Sequence, residues 1–234
     1  MLFLHELHKV IGLKIFDFEE AFRTGWMPTL ARGDDARLLW YASQAMGTGA
    51  SYNVVTITAI KDGGAWERLA LRIQGGDLQD WMREVDALRH EVTGKILLPL
   101  YWSPLKEVNL REVPDGSVEH EPTLFMEDTG WPHAPLDDYI KGLEELYYPM
   151  MRNASRQHRV LELQAMFQVA HGTHQRREVV FWQKIASPEA LMRLLQTPLR
   201  PQDQKPGTYM FDALKYRDQW QSRLLRTSKW SPLY

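Results

Sequence analysis

The segment Trp102-Ser103-Pro104-Leu105 returns as Trp230-Ser231-Pro232-Leu233 near the far end of the 234-residue chain. Two more landmarks recur in the same order: Leu2-Phe3 as Leu124-Phe125, and Val54-Val55-Thr56-Ile57 as Val179-Val180-Phe181-Trp182. The offsets lie between 122 and 128 residues. Ordered landmarks at a nearly constant spacing indicate two divergent copies of one unit, so the chain must fold as a pair of similar halves. The copies cover 1–105 and 123–234. The polar stretch 106–122, with its Pro-Asp-Gly turn signal, reads as the linker.

Each copy reads strand, helix, strand, strand, helix, strand. In the first, Leu2 to Val10 is a strand and Phe16 to Leu30 a helix, with Phe18, Ala21, Phe22, Gly25 and Trp26 at helical spacing. Arg37 to Ala45 and Tyr52 to Ile60 form a hairpin around Gly47 to Ser51. Asp77 to Val92 reads as a helix and Lys95 to Trp102 as the closing strand. The second copy gives strand Thr123 to Asp128, helix Leu136 to Met151, strands His158 to Val169 and Arg177 to Ile185, and helix Pro188 to Gln196. A further helix around Phe211 to Leu224 and a short terminal strand are expected.

A βαββαβ unit of this length is ferredoxin-like: its antiparallel sheet carries helices on one face and leaves the other bare. Two copies in one chain cover each other by packing these sheets face to face. The arrangement resembles the dimeric α+β barrel superfamily in its fused, two-repeat form, and the end of each repeat is most similar to NIPSNAP and EthD-like proteins. The resemblance implies an α+β fold of tandem ferredoxin-like repeats. The superfamily also holds antibiotic-biosynthesis monooxygenases, muconolactone isomerases and haem-binding chlorite dismutases, and fold kinship does not choose among these chemistries.

Composition narrows the field. Twenty-eight basic against 30 acidic residues show no electrostatic footprint for nucleic acid. With no cysteine, disulfides, thiolate nucleophiles and Cys-ligated metals are excluded. No apolar run is long enough for a membrane span, and the first residues lack a signal-peptide pattern, so the expected location is cytoplasmic. Nine Trp, nine Tyr and eight Phe fit a large core or a ring-lined cavity. Neither a phosphate-binding glycine loop nor a Gly-x-Ser-x-Gly elbow is present.

Strand alternation nominates the site. On the strand ending at Val169, residues Leu161 to Val169 at period two are apolar and suit helices. Glu162, Gln164, Met166 and Gln168 then face the enclosed space. In the first strand, Glu6 and His8 share a face and make an acid–base pair. Tyr52, Val54, Thr56 and Thr58 are expected on the inner face of their strand, with Trp40, Tyr41, Trp182 and Gln183 completing the lining. His171-Gly172-Thr173-His174 matches the hairpin Met46-Gly47-Thr48-Gly49 and reads as a turn.

Three functional readings follow. The leading one is an enzyme without metal or nucleotide cofactor, of oxygenase or isomerase/lyase type, acting on a hydrophobic, aromatic compound in a barrel cavity. Glu162, His8 and Glu6 are its catalytic candidates, and Gln164, Tyr41, Trp40, Tyr52, Thr56, Trp182 and Gln183 bind substrate. The second is a haem protein, with His158, His171 or His174 as axial ligand. The third is a non-catalytic interaction module. A homodimer is expected in each.

Overall fold

A computed structural model describes residues 1–115, 118–154, 159–172, 177–196 and 201–234. Its first four strands are β1 (Leu2–Val10), β2 (Ala36–Gln44), β3 (Asn53–Ile60) and β4 (Arg89–Pro99). The second four are β5 (Leu124–Pro132), β6 (Leu161–His171), β7 (Val179–Ile185) and β8 (Arg217–Thr227). All pairings are antiparallel, and they close in the order β1-β3-β2-β8-β5-β7-β6-β4. Each half contributes its strands in the ferredoxin-like order 4-1-3-2. Joins between β2 and β8 and between β4 and β6 leave no edge strand in the barrel.

Against the outside lie helix α1 (residues 15–31) in the first half and α4 (residues 136–153) in the second. Both have the same build: an α-helical start, a π-helical stretch at Ala21–Trp26 or Leu143–Tyr147, then a turn begun by Pro28 or Pro149. Proline fits there because the first-turn amide needs no intrahelical acceptor. The other helices are α2 (Gly63–Gly75), α3 (Gln79–Asp86), α5 (Pro188–Gln196) and α6 (Tyr209–Asp212).

Two expected elements differ. The helix expected over 77–92 is two elements: α3 ends at Asp86 and β4 begins at Arg89. The preceding α2 is nucleated by Asp62, whose carboxylate accepts the Ala65 amide at 2.8 Å. The Gly63-Gly64 pair hides that start. Residues 211–224, expected as a helix, instead run mostly into β8, which pairs with β5 along its length. Its polar sequence has little strand propensity, and the β5 ladder imposes the conformation.

The barrel interior is where the sequence expectation inverts. Phe3, Trp40, Val55, Ile57, Ala59, Leu97, Phe125, Phe167, Trp182 and Leu225 form one buried cluster across both halves. Trp182 stacks on Phe125 at 5.2 Å and meets Trp40 at 5.5 Å, while Phe3 meets Phe167 at 4.9 Å. Ala165, Phe167 and Val169 point into the barrel and Met166 towards α4, the reverse of the face assignment above. A register shift between Leu163 and Ala165 breaks the alternation within β6. In β3 the same inversion sets Val55, Ile57 and Ala59 inside, and Thr56 and Thr58 beneath α1. Tyr52 precedes β3 in the left-handed region, with φ 61°, and is exposed, so it lines neither face. The barrel space expected to hold a ligand is thus occupied by side chains. Nor is 106–122 a merely polar connector: Val108, Leu110 and Val113 pack onto the barrel core.

The repeated Trp-Ser-Pro-Leu segments explain themselves as a swapped clasp. Ser103 accepts the Met166 amide of the second half at 2.9 Å and donates to Leu105 O at 2.8 Å. Ser231 accepts the Tyr41 amide of the first half at 3.1 Å and donates to Leu233 O at 2.9 Å. Each tail therefore ties down the second strand of the opposite half, beside that strand's bulge. Trp102 packs on Tyr148, and Trp230 packs on Tyr41 and donates to Glu19 at 2.8 Å. Ser103→Ala or Ser231→Ala leaves a buried amide without its acceptor and is expected to cost about 1–3 kcal/mol in denaturant unfolding. Wild-type stability in both variants would refute the clasp.

Candidate functional site

The strand ladders put the halves in register. Phe3 pairs with Ala59 and Leu97, and Phe125 pairs with Lys184 and Leu225. On this register Glu6 corresponds to Asp128, His8 to Gly130, Thr58 to Gln183 and Arg89 to Arg217. Each half thus has a polar cluster between its sheet and its helices, built from matching positions.

In the first half, Trp26 Nε1 donates to Thr58 Oγ1 at 3.4 Å and its ring stacks on Trp81 at 4.7 Å. In the second, the Tyr147 hydroxyl donates to Gln183 Oε1 and its ring meets Tyr209 at 4.7 Å. Gly130 gives up the histidine of the first half, and the space goes to Tyr139: a Cβ on Gly130 would lie 2.6 Å from its hydroxyl.

His8 is fixed in one state by its neighbours. Arg89 Nη1 lies 2.8 Å from Nδ1, and a guanidinium only donates, so Nδ1 is the acceptor. The ring proton is therefore on Nε2, which donates to Thr56 Oγ1 at 3.1 Å. Burial, then the Arg89 charge, holds the His8 pKa well below 6.5, and the ring stays neutral. Both ring nitrogens of His8 are thus engaged, the Nδ1 lone pair by Arg89 and the Nε2 proton by Thr56. Arg89 is anchored in turn by Asp86 at 2.5 Å.

Glu6 is different. It is partly accessible, and its carboxylate accepts no hydrogen bond among the described residues. Burial raises its pKa above 4.5 against the pull of Arg89. Its neighbour on β4 is Gly94, where an added Cβ would meet only Leu4, at 3.9 Å, so one flank of the carboxyl is open. The corresponding Asp128 is fully engaged: Oδ2 accepts Gln183 Nε2 at 3.0 Å and Oδ1 accepts the Ser222 hydroxyl. Burial raises its pKa too. Of two equivalent acids, the first half leaves its own without a hydrogen bond among the described residues.

Phe18, Phe22, Trp26, Tyr41 and Trp81 surround His8 and the α1 face of the sheet. The Tyr41 hydroxyl is buried without a hydrogen-bond partner among the described residues, and burial pushes its pKa well above 10. It is an orphaned donor in an aromatic layer.

The structure separates the other sequence-nominated residues. Trp40 and Trp182 are inside the barrel, Gln183 belongs to the second cluster, and Tyr52 is on the surface. Glu162 and Gln164 lie in the second half, on a groove of about 390 Å³ with Tyr148 and Met151, so they share no site with His8. Glu162 is not enclosed: its side chain is 40% exposed and faces Arg159 at 3.8 Å. His171 ends β6 on the surface, opposite Ile96, while His158 and His174 lie outside the described residues. None of the described histidines lines this groove, and no cluster of three metal-ligating side chains occurs among the described residues.

Sequence reasoning missed the charged centre of the barrel. His5 Nε2 donates to Glu127 Oε2 at 2.8 Å, and Arg223 Nη1 reaches Glu127 Oε1 at 2.6 Å. Lys95 pairs with Glu178 at 3.0 Å nearby. Burial alone would raise the Glu127 carboxyl, but the charge and hydrogen bond of His5, with Arg223 and Lys95, outweigh it and hold the pKa at about 2.

The class defined by this geometry is an α+β barrel of the dimeric type, closed within one chain from two ferredoxin-like repeats. Solved structures that match nearly the whole chain share this fold. A putative monooxygenase from Lactobacillus acidophilus NCFM matches over 99% of this chain and 97% of its own, at 11% identity and TM-score 0.61. An anthrone oxidase-like protein matches over 97% and 91%, at 10% identity and TM-score 0.56. A NIPSNAP domain protein from Burkholderia xenovorans covers 45% of this chain with all of its own, at 18% identity and TM-score 0.37. No known protein family and no curated protein matches the sequence. No helix among the described residues is long and apolar enough to cross a membrane.

Proposed function

We propose that this chain is a small-molecule enzyme of oxygenase type that works without metal or nucleotide cofactor, with Glu6 as its proton acceptor. The carrying observation is the Glu6 carboxyl, raised in pKa, unpartnered among the described residues and open on the Gly94 side. A general base needs an available lone pair and a pKa drawn towards the working pH, and Glu6 has both. Arg89 lies near enough to lower the Glu6 pKa and so to stabilise negative charge. His8, held neutral, keeps Arg89 in place. Phe22, Trp26 and Trp81 give the cluster an apolar, aromatic surround, and the Tyr41 hydroxyl supplies a donor for a substrate oxygen.

The anthrone oxidase-like neighbour supplies a concrete probe. Glu6 would take a proton from the methylene carbon of anthrone, and the resulting anion would be oxidised by dioxygen. Anthrone plus dioxygen gives anthraquinone plus water, so each turnover consumes one dioxygen and the methylene carbon becomes a carbonyl. The test is dioxygen uptake by the purified full-length protein with anthrone and related hydroxylated polycycles. Saturable uptake above the uncatalysed rate is expected. Uptake at the background rate across the series would overturn the proposal.

A further inference from the structure

The groove of the second half is lined by none of the residues around Glu6, and its side chains differ in chemistry from that cluster. We propose that it is a second binding site, for an organic monocarboxylate with a flat apolar body. The groove runs between the last turn of α4 and the start of β6, and about 390 Å³ suits a ring system of two or three rings.

Its charges are unbalanced. Arg152 lies 5.9 Å over the Tyr148 ring and has no carboxylate partner among the described residues. Arg159 donates through Nη2 to Ala154 O at 3.3 Å, and its Nε is buried with no partner. The Arg159 Nη1 atom reaches Glu162 only at 3.8 Å, beyond hydrogen-bond distance. Among the described residues two guanidiniums face one loosely held carboxylate, which leaves one positive charge unmatched there, and a guanidinium fork binds a carboxylate in two parallel hydrogen bonds. Met151 and Leu163 line the groove with Tyr148 and offer an apolar wall to the ligand's body. Glu162 would compete with the ligand for Arg159, so it tunes affinity downward and discriminates against dianions.

Calorimetric titration of the full-length protein with 2-naphthoate, and with 2-naphthol as its neutral counterpart, tests the site. One-to-one binding of naphthoate is expected, with naphthol at least tenfold weaker. Arg152→Gln and Arg159→Gln should each weaken naphthoate at least tenfold, and Glu162→Gln should tighten it several-fold by releasing Arg159. Among the described residues Arg152 makes only a ring contact, so its variant reads the site even if loss of the Arg159 hydrogen bond harms folding. Glu6→Gln should bind naphthoate like wild type, which keeps this result separate from any failure at Glu6. Equal affinity for the two compounds, no binding at millimolar naphthoate, or indifference to Arg152→Gln would overturn the proposal.

Discussion

Glu6→Gln is expected to lower the turnover number for an identified substrate by about 10²–10⁴-fold, the range a positioned general base contributes. The amide keeps the size of the side chain and cannot take a proton, and it breaks no hydrogen bond among the described residues. KM should therefore move little. The pH dependence gives a second readout. Only the ionised carboxylate is competent, so wild-type turnover should rise with pH through a midpoint above the ordinary glutamate value of 4.5. That limb should vanish in the variant. Asp128→Asn is the matched control from the other half. Its carboxylate is held by Ser222 and Gln183, so turnover should persist while stability falls. Equal loss in both variants, or full activity in Glu6→Gln, would remove Glu6 from the chemistry.

The second large effect is on stability. Glu127→Ala should destabilise the protein by about 3–5 kcal/mol, because it leaves the buried His5 ring without its acceptor and the partly buried Arg223 guanidinium without its counter-charge. For a chain of this size that is a fall in Tm on the order of 10 °C, read by thermal denaturation. The pairing follows from the internal symmetry: His5 and Glu127 occupy corresponding positions on β1 and β5, and meet each other across the barrel. In a barrel of two identical halves the same residue would meet itself, so this attraction requires two different copies. Its pH dependence has a definite sign. The Glu127 pKa is about 2 folded against 4.5 unfolded, so its contribution is complete above 4.5 and lost as pH falls towards 2. At about 1.4 kcal/mol per pH unit, roughly 3 kcal/mol is at stake across that window. Wild type should lose stability there faster than Glu127→Ala, and parallel curves would contradict this account.

The repeat was the most informative part of the sequence. Two of its three offsets fall on matching ladder positions, Leu2 with Leu124 and Val54 with Val179, and the third sets Trp102 and Trp230 at the start of the two matching clasps. Face direction was not legible. When both faces of a sheet are buried, alternation shows that two faces exist and says nothing about which meets the helices. Here the more apolar face went to the barrel, and the polar face under the helices. Glu6 and His8 were visible because charge stands out in an apolar strand. Arg89 was hidden inside an expected helix. Carrying the offsets of 122 and 128 from Glu6 and Arg89 would have located Asp128 and Arg217. The His5–Glu127 pair joins residues far apart in sequence, and only closure of the barrel brings them together.

The central claim is that Glu6 is a free, proton-accepting carboxyl, and carbon-13 NMR titration of glutamate carboxyls tests it most directly. Subtracting the Glu6→Gln spectrum from that of wild type isolates one resonance. A midpoint clearly above 4.5, unaccompanied by a change in Glu127, is the predicted result. A midpoint at or below 4.5 would mean that Arg89 holds Glu6 as a permanent carboxylate, and would contradict its role as the base.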